Sequence, residues 1–185
     1  MLARSSVVAG KEHKLTFYPD FISKSVTDAD FKFLKSIGIK ACLVDLDGTV
    51  VSRGEYDVDK KIRKALQNSG IAVHIATNRP KSRSLKTLKE DLYAVSVVHP
   101  RGVMGKPTKR YYKNAIKDLG LKPHEVVMIG DRYIQDIFGA NRAGLYTLLV
   151  HKLGASKGKA DAYLSEAERK FTTAISPHYT EIKLK

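Results

Sequence analysis

The chain of 185 residues has a single cysteine, Cys42, and 6 prolines. One cysteine excludes an internal disulfide. Its position inside an apolar run marks it as a small core side chain and points to a reducing compartment. No apolar stretch approaches the ~18 residues that a membrane-spanning helix needs. The N-terminal MLARSSVVAG is too weakly apolar for a secretory signal, although it is basic and serine-bearing with no acid before Glu12, as organelle-targeting segments are. No histidine or cysteine sits at metal-ligand spacing, and no internal repeat is visible. Acidic residues are also scarce: 19 Asp and Glu face 33 Lys and Arg, a net charge of +14. The excess is spread along the chain, so it is no basic tail. It gives the whole body a positive field suited to anionic partners, namely phosphorylated substrates, nucleic acid or an acidic membrane surface.

What the chain does contain is an alternation of apolar strands and amphipathic helices. Ile39–Val44 reads as a buried strand that runs straight into Asp45 and Asp47, and Gly48 then turns the chain. Side chains two apart on a strand share a face, so the two carboxylates point into one space and call for a cation between them. The competing reading of Asp47-Gly48 is a hairpin turn, but the residues after Gly48 do not alternate as a return strand would.

Upstream, Tyr18-Pro19-Asp20 marks a turn, and a helix starts at Thr27–Asp30 with Phe31, Leu34 and Ile37 in helical register. Downstream, Asp59 opens a helix that Gly70 ends. Strand Ile71–Ala76 delivers Thr77-Asn78, and Pro80 starts the next helix. Strand Ala94–Val98, helix Thr108–Leu119, strand Val126–Ile129 ending in Gly130-Asp131, a helix to Ala143 and strand Tyr146–Val150 follow. The expected fold is α/β, a doubly wound three-layer sandwich with a central parallel sheet. The expected organisation is an N-terminal extension over 1–38, a core over 39–150, and a C-terminal extension over 151–185 with a helix over Asp161–Phe171.

Doubly wound sheets bind ligands at the carboxyl ends of their strands, where the winding reverses. Three strand tips there gather Asp45, Asp47, Thr77, Asn78, Asp131 and Asp136. Such a set of hard oxygen donors suits magnesium rather than zinc. His74 falls within a strand and reads as a core or face histidine.

Four motifs then occur in order: Asp45-Leu46-Asp47-Gly48-Thr49, Thr77-Asn78, Lys106-Pro107, and Gly130-Asp131 with Asp136 five residues on. In this the chain resembles the haloacid dehalogenase (HAD) superfamily of aspartyl phosphotransferases. The resemblance implies a HAD-like, Rossmannoid phosphatase with Mg2+ as cofactor. It makes Asp45 the nucleophile, Asp47 the general acid/base, Thr77 a hydrogen-bond donor to the phosphoryl group and Lys106 its neutralising cation. Thr77, Asn78, Arg79 and Lys106 are the expected substrate contacts. The implied metal set is Asp45, Asp131, Asp47 through its backbone carbonyl, and Asp136 from behind or through water. The intervals between Asp47, Thr77 and Lys106 hold one helix each, which leaves no room for a cap domain.

Tyr18-Pro19-Asp20 and Gly130–Gly144, with the segment GANRAG, further resemble the capless phosphatases of the YqeG family. That family is associated with phosphatidylglycerophosphate phosphatase activity in phospholipid synthesis. Gly48, Arg132 and Gln135 depart from its usual Asn, Gln and Thr. The resemblance implies a cytoplasmic enzyme, peripheral to the inner face of a membrane, acting on a lipid head group. Arg79, Lys81, Arg83, Lys86 and Lys89 offer a charged face for that contact. Two alternatives are a phosphatase of nucleic-acid ends and a non-catalytic module that binds RNA or protein through its basic surface. The oligomeric state is not legible.

Overall fold

The structure, a computed structural model, describes residues 17–154. Six strands form one sheet: β1 (Phe21–Ser23), β2 (Ala41–Val44), β3 (Ala72–Ala76), β4 (Ser96–Val98), β5 (Val126–Gly130) and β6 (Tyr146–Val150). Their order is β1-β6-β5-β2-β3-β4, and every pairing is parallel. β2 lies in the middle, paired with β3 on one side and β5 on the other, so the winding reverses beside it. All residues of β2, β5 and β6 are buried, as a sheet covered on both faces requires.

The helices α1 (Phe31–Ser36), α2 (Lys60–Gln67), α3 (Arg83–Asp91), α4 (Lys109–Leu119) and α5 (Gly139–Asn141) follow the strands. Their amino ends are set by local chemistry. The side chains of Asp30, Asp59, Ser82 and Thr108 each accept a hydrogen bond from a first-turn amide. α2 and α3 turn Ile62, Leu66, Leu85 and Leu88 into one core layer, where each contributes about 1.5–3 kcal/mol by leaving water. α4 places Tyr111, Tyr112, Ala115 and Ile116 on the other face, against Leu43 and Met128. Cys42 is fully buried, and burial pushes its thiol up to about 12. His74 is buried too, its Nδ1 2.9 Å from the Ser96 hydroxyl across to β4. Burial lowers its pKa, as suits a neutral core imidazole.

Three local readings differ from the structure. β1 is a strand that the sequence pattern does not announce: its three residues are held by pairing with β6, a contact set by chain far away. α3 starts after Ser82 rather than at Pro80, because the Ser82 hydroxyl caps Leu85 while Pro80 stays in the connection. After β5 the chain forms a π-helix, Tyr133–Phe138, before the short α5. There the Arg132 carbonyl accepts both the Asp136 amide (2.9 Å) and the Ile137 amide (3.2 Å), which widens the turn. The helix expected over Asp161–Phe171, like all of 155–185, lies outside the described residues.

Candidate active site

The carboxyl ends of β2, β3 and β5 meet at one cleft. Asp45 directly follows β2, and its amide bonds the Ile129 carbonyl of β5 (2.9 Å). Lys106 enters from the loop after β4 and is buried. Its Nζ donates to Asp45 Oδ1 at 2.6 Å and to Asp136 Oδ1 at 2.7 Å. Asp136, on the widened turn, is fully buried and also accepts the Arg132 amide (3.1 Å). Asp131, at the tip of β5, accepts from the Thr49 hydroxyl (3.0 Å). Two glycines make room for these carboxylates. A side chain at Gly48, where φ is +87°, would meet Asp131, and one at Gly130 would overlap the Asp136 carboxyl.

Electrostatics decides what this group can hold. Oxygens of Asp45, Asp131 and Asp136 lie within 4.8 Å of one another. One ammonium bonds two of these carboxylates but carries a single positive charge, so the three carboxylates together are short of positive charge. Asp131 bears the consequence: burial, then repulsion from Asp45 and Asp136, pushes its pKa up to about 8. Burial raises Asp45 to about 6, with Lys106 pulling it back down and Asp136 pushing it up. Burial by itself would lower the Lys106 pKa, but its two carboxylate partners prevail and hold it well above the ordinary range. A buried all-oxygen set short of positive charge suits a hard divalent cation, so the residues present fit magnesium.

Asp47 is differently placed. Its carboxylate takes no part in that triplet and is gripped by Arg79, Nε to Oδ2 at 2.9 Å and Nη2 to Oδ1 at 2.7 Å. The Gly54 amide adds a bond to Oδ1 (3.0 Å). Burial would raise its pKa, but the Arg79 and Gly54 bonds prevail and hold it below the usual carboxylate range. Arg79 is itself fixed by the Glu55 carbonyl, at 3.1 and 3.0 Å, and by the Tyr56 ring, 4.7 Å from its guanidinium carbon. So this side chain, expected at the substrate, holds Asp47 in the structure described. Thr77 is buried, its Oγ1 accepting the Arg79 amide (3.0 Å).

Asn78 turns out to position another residue. Its Nδ2 donates to the Lys106 carbonyl (3.0 Å), and its Oδ1 accepts the Lys106 amide (2.8 Å). Asn78→Ala is therefore expected to cost about 1–2 kcal/mol and to lower Tm by roughly 2–6 °C. A melting curve checks this, and an unchanged Tm would mean that the pair of bonds is dispensable.

The cleft has a volume of about 200 Å3 and is lined by Asp45, Asp47, Asn78, Arg79 and Lys106, joined by Arg53, Arg132 and Gln135. Sequence reasoning missed these last three as lining groups, and Thr49 as the partner of Asp131. Thr49, Arg132 and Gln135 adjoin motif aspartates, so adjacency was an available signal. Arg53 lies in a loop without periodicity and gave none.

Comparisons with known proteins point to one kind of relative. A HAD hydrolase-like family model matches residues 103–176. The chain is 28% identical over 165 residues to the "Probable phosphatase YqeG" of Bacillus subtilis, covering 88% of this chain and 93% of that one. In fold it is similar to the crystal structure of an uncharacterized protein from Listeria monocytogenes serotype 4b, with a TM-score of 0.53 and 20% identity over 65% of this chain and 85% of that one. It is likewise similar to a haloacid dehalogenase-like family hydrolase from Streptococcus pneumoniae (TM-score 0.53, 15% identity, 68% and 90% covered). The chain resembles the phosphatases of the HAD superfamily, and among the described residues a single helix fills each interval between the Asp47, Thr77 and Lys106 loops. Within that class it resembles YqeG along most of its length.

Proposed function

We propose that this phosphatase is Mg2+-dependent, works through an aspartyl-phosphate on Asp45, and dephosphorylates phosphatidylglycerophosphate in phospholipid synthesis. The observation that carries the chemistry is Lys106, buried between Asp45 and Asp136 beside the underneutralised Asp131. A carboxylate attacking a phosphate dianion meets repulsion, and pre-placed cations remove it. Asp45, Asp131 and the Asp47 carbonyl would hold Mg2+, with Asp136 in support. Bound there, it supplies positive charge against the phosphate oxygens.

The chain's own groups do the rest. An oxygen of Asp45 bonds to phosphorus as the bond to the leaving oxygen breaks, and Asp47 gives that oxygen its proton. Water then attacks phosphorus, yields its proton to Asp47, and releases inorganic phosphate with Asp45 restored. Lys106 and the Thr77 hydroxyl steady the phosphoryl oxygens, and Asn78 steadies Lys106. For Asp47 to act, Arg79 must leave it, which makes Arg79 available to the substrate. The lipid substrate is supported by the likeness to YqeG and by an open cleft, which fits a phosphate presented by a surface better than a metabolite that needs enclosing.

Phosphate release from phosphatidylglycerophosphate in mixed micelles, with and without Mg2+, tests this reading. Turnover of short nucleic acids bearing 5′- or 3′-phosphates in its place would move the substrate class. Silence on every substrate, from folded protein that still binds Mg2+, would favour a binding module.

The raised carboxyls give a second test. Mg2+ needs them ionised, so its affinity should climb between pH 6 and 8, by up to about tenfold per pH unit, with protons released on binding. In chelator, the folded chain holds these protons more tightly than the unfolded chain does. This contribution to stability is therefore full below the ordinary carboxyl value of 3.8 and is lost as pH rises through about 6 and then 8. Calorimetric titration and melts across that range check both slopes, and flat profiles would refute them.

A further inference from the structure

We propose that the loop 99–105 is a membrane-docking finger, with Val103 at its tip entering an anionic bilayer beside the cleft. The inference rests on the lipid-phosphate reading above and adds to it the element that makes contact. Val103 is 98% exposed, the extreme among the large apolar residues of the described chain. It stands on a tight turn closed by the Met104 amide on the Arg101 carbonyl (3.2 Å), with Gly102 at φ +61°. The turn is anchored to the catalytic machinery. Gly105 packs so closely on Asn78 that a side chain there would collide with its amide, and the next residue is Lys106.

Two other exposed apolar side chains share this end of the sheet. Tyr56 (45% exposed) lies in the loop after β2, against Arg79. Ile134 (44%) lies in the turn after β5, between the cleft-lining Arg132 and Gln135. Apolar residues thus stand on three strand-tip loops at the end of the sheet that carries the cleft. Arg53 and Arg101 occupy two of these loops, and Lys81 and Arg83 lie in the segment after β3 and at the start of α3, so this end of the sheet is both apolar and cationic, the pairing that favours an anionic lipid surface. Single-stranded nucleic acid would call for a row of aromatics to stack its bases, and among these three residues only Tyr56 is one.

The chain has no tryptophan, so one can be introduced as a reporter. Val103→Trp places it at the tip. Tyr93→Trp, at an exposed site in the connection into β4 and so at the opposite end of the strands, serves as control. With vesicles of phosphatidylcholine containing about one-third phosphatidylglycerol, Val103→Trp fluorescence should shift to the blue and become shielded from an aqueous quencher, and Tyr93→Trp should not change. Pure phosphatidylcholine vesicles should leave both unchanged. Val103→Asp should weaken co-sedimentation with the anionic vesicles about tenfold while hydrolysis of a soluble phosphomonoester stays at the unmodified rate. Binding to the vesicles without the Val103→Trp shift, no binding at all, or binding to single-stranded oligonucleotide in preference would each overturn the proposal. A blue shift without turnover of the lipid phosphate would refute the substrate and leave the finger. Turnover of the lipid in micelles without the shift would refute the finger alone.

Discussion

Asp45→Asn is expected to abolish turnover, by about four orders of magnitude in kcat, and to leave the protein folded. An amide of nearly the same shape cannot form the acyl phosphate, so the loss falls on the chemical step. Folding should survive because Lys106 keeps Asp136, at 2.7 Å, when Asp45 loses its charge. The carboxylate removed is one that burial and Asp136 already hold at about 6, and its loss also relieves the repulsion that raises Asp131. The variant should thus melt close to the parent or slightly above it, and Mg2+ should bind less tightly. Phosphate release and a melting curve on one preparation separate these effects. Residual turnover within a hundredfold of the parent would remove Asp45 from the role of nucleophile.

Lys106→Met should do the reverse and strike the fold as well as the reaction. The lysine side chain is 1% exposed and lies between carboxylates that are 7% and 0% exposed. Taking out the cation leaves buried like charges facing one another, a loss of about 3–5 kcal/mol and of roughly 10 °C in Tm for a chain of this size. Adding Asp136→Leu should recover part of that stability without recovering activity, because it removes one stranded charge. Saturating Mg2+ should recover part of it too, by neutralising those that remain. A Lys106→Met protein that melts with the parent in chelator would show that the three carboxylates share protons well enough without the ammonium.

These expectations draw on parts of the molecule that were unequally legible. α4 was readable almost to the residue, since Thr108, the spacing of Tyr112, Ile116 and Leu119, and Gly120 are local signals. The π-helix was not, because an α-helix and a widened turn share the same apolar spacing. What separates them is the Arg132 carbonyl accepting two amides, with the Asp136 carboxylate folded back to the Arg132 amide. β1 was invisible for a related reason. Three residues carry no periodicity, and they are a strand because β6 lies beside them.

The site divides in the same way. By itself the sequence determined which residues stand at the strand tips, since an apolar run ending in Asp45, Thr77 or Asp131 is a local pattern and a parallel sheet brings such tips to one edge. Only the tertiary structure decided how those groups are shared out. Lys106 bonds carboxylates 61 and 30 residues away, Asp47 is taken by Arg79 across 32, and Asn78 holds the Lys106 backbone across 28. Periodicity and capping act over a few residues. Charge and hydrogen bonding act over a few ångströms, and only the folded sheet makes those distances small.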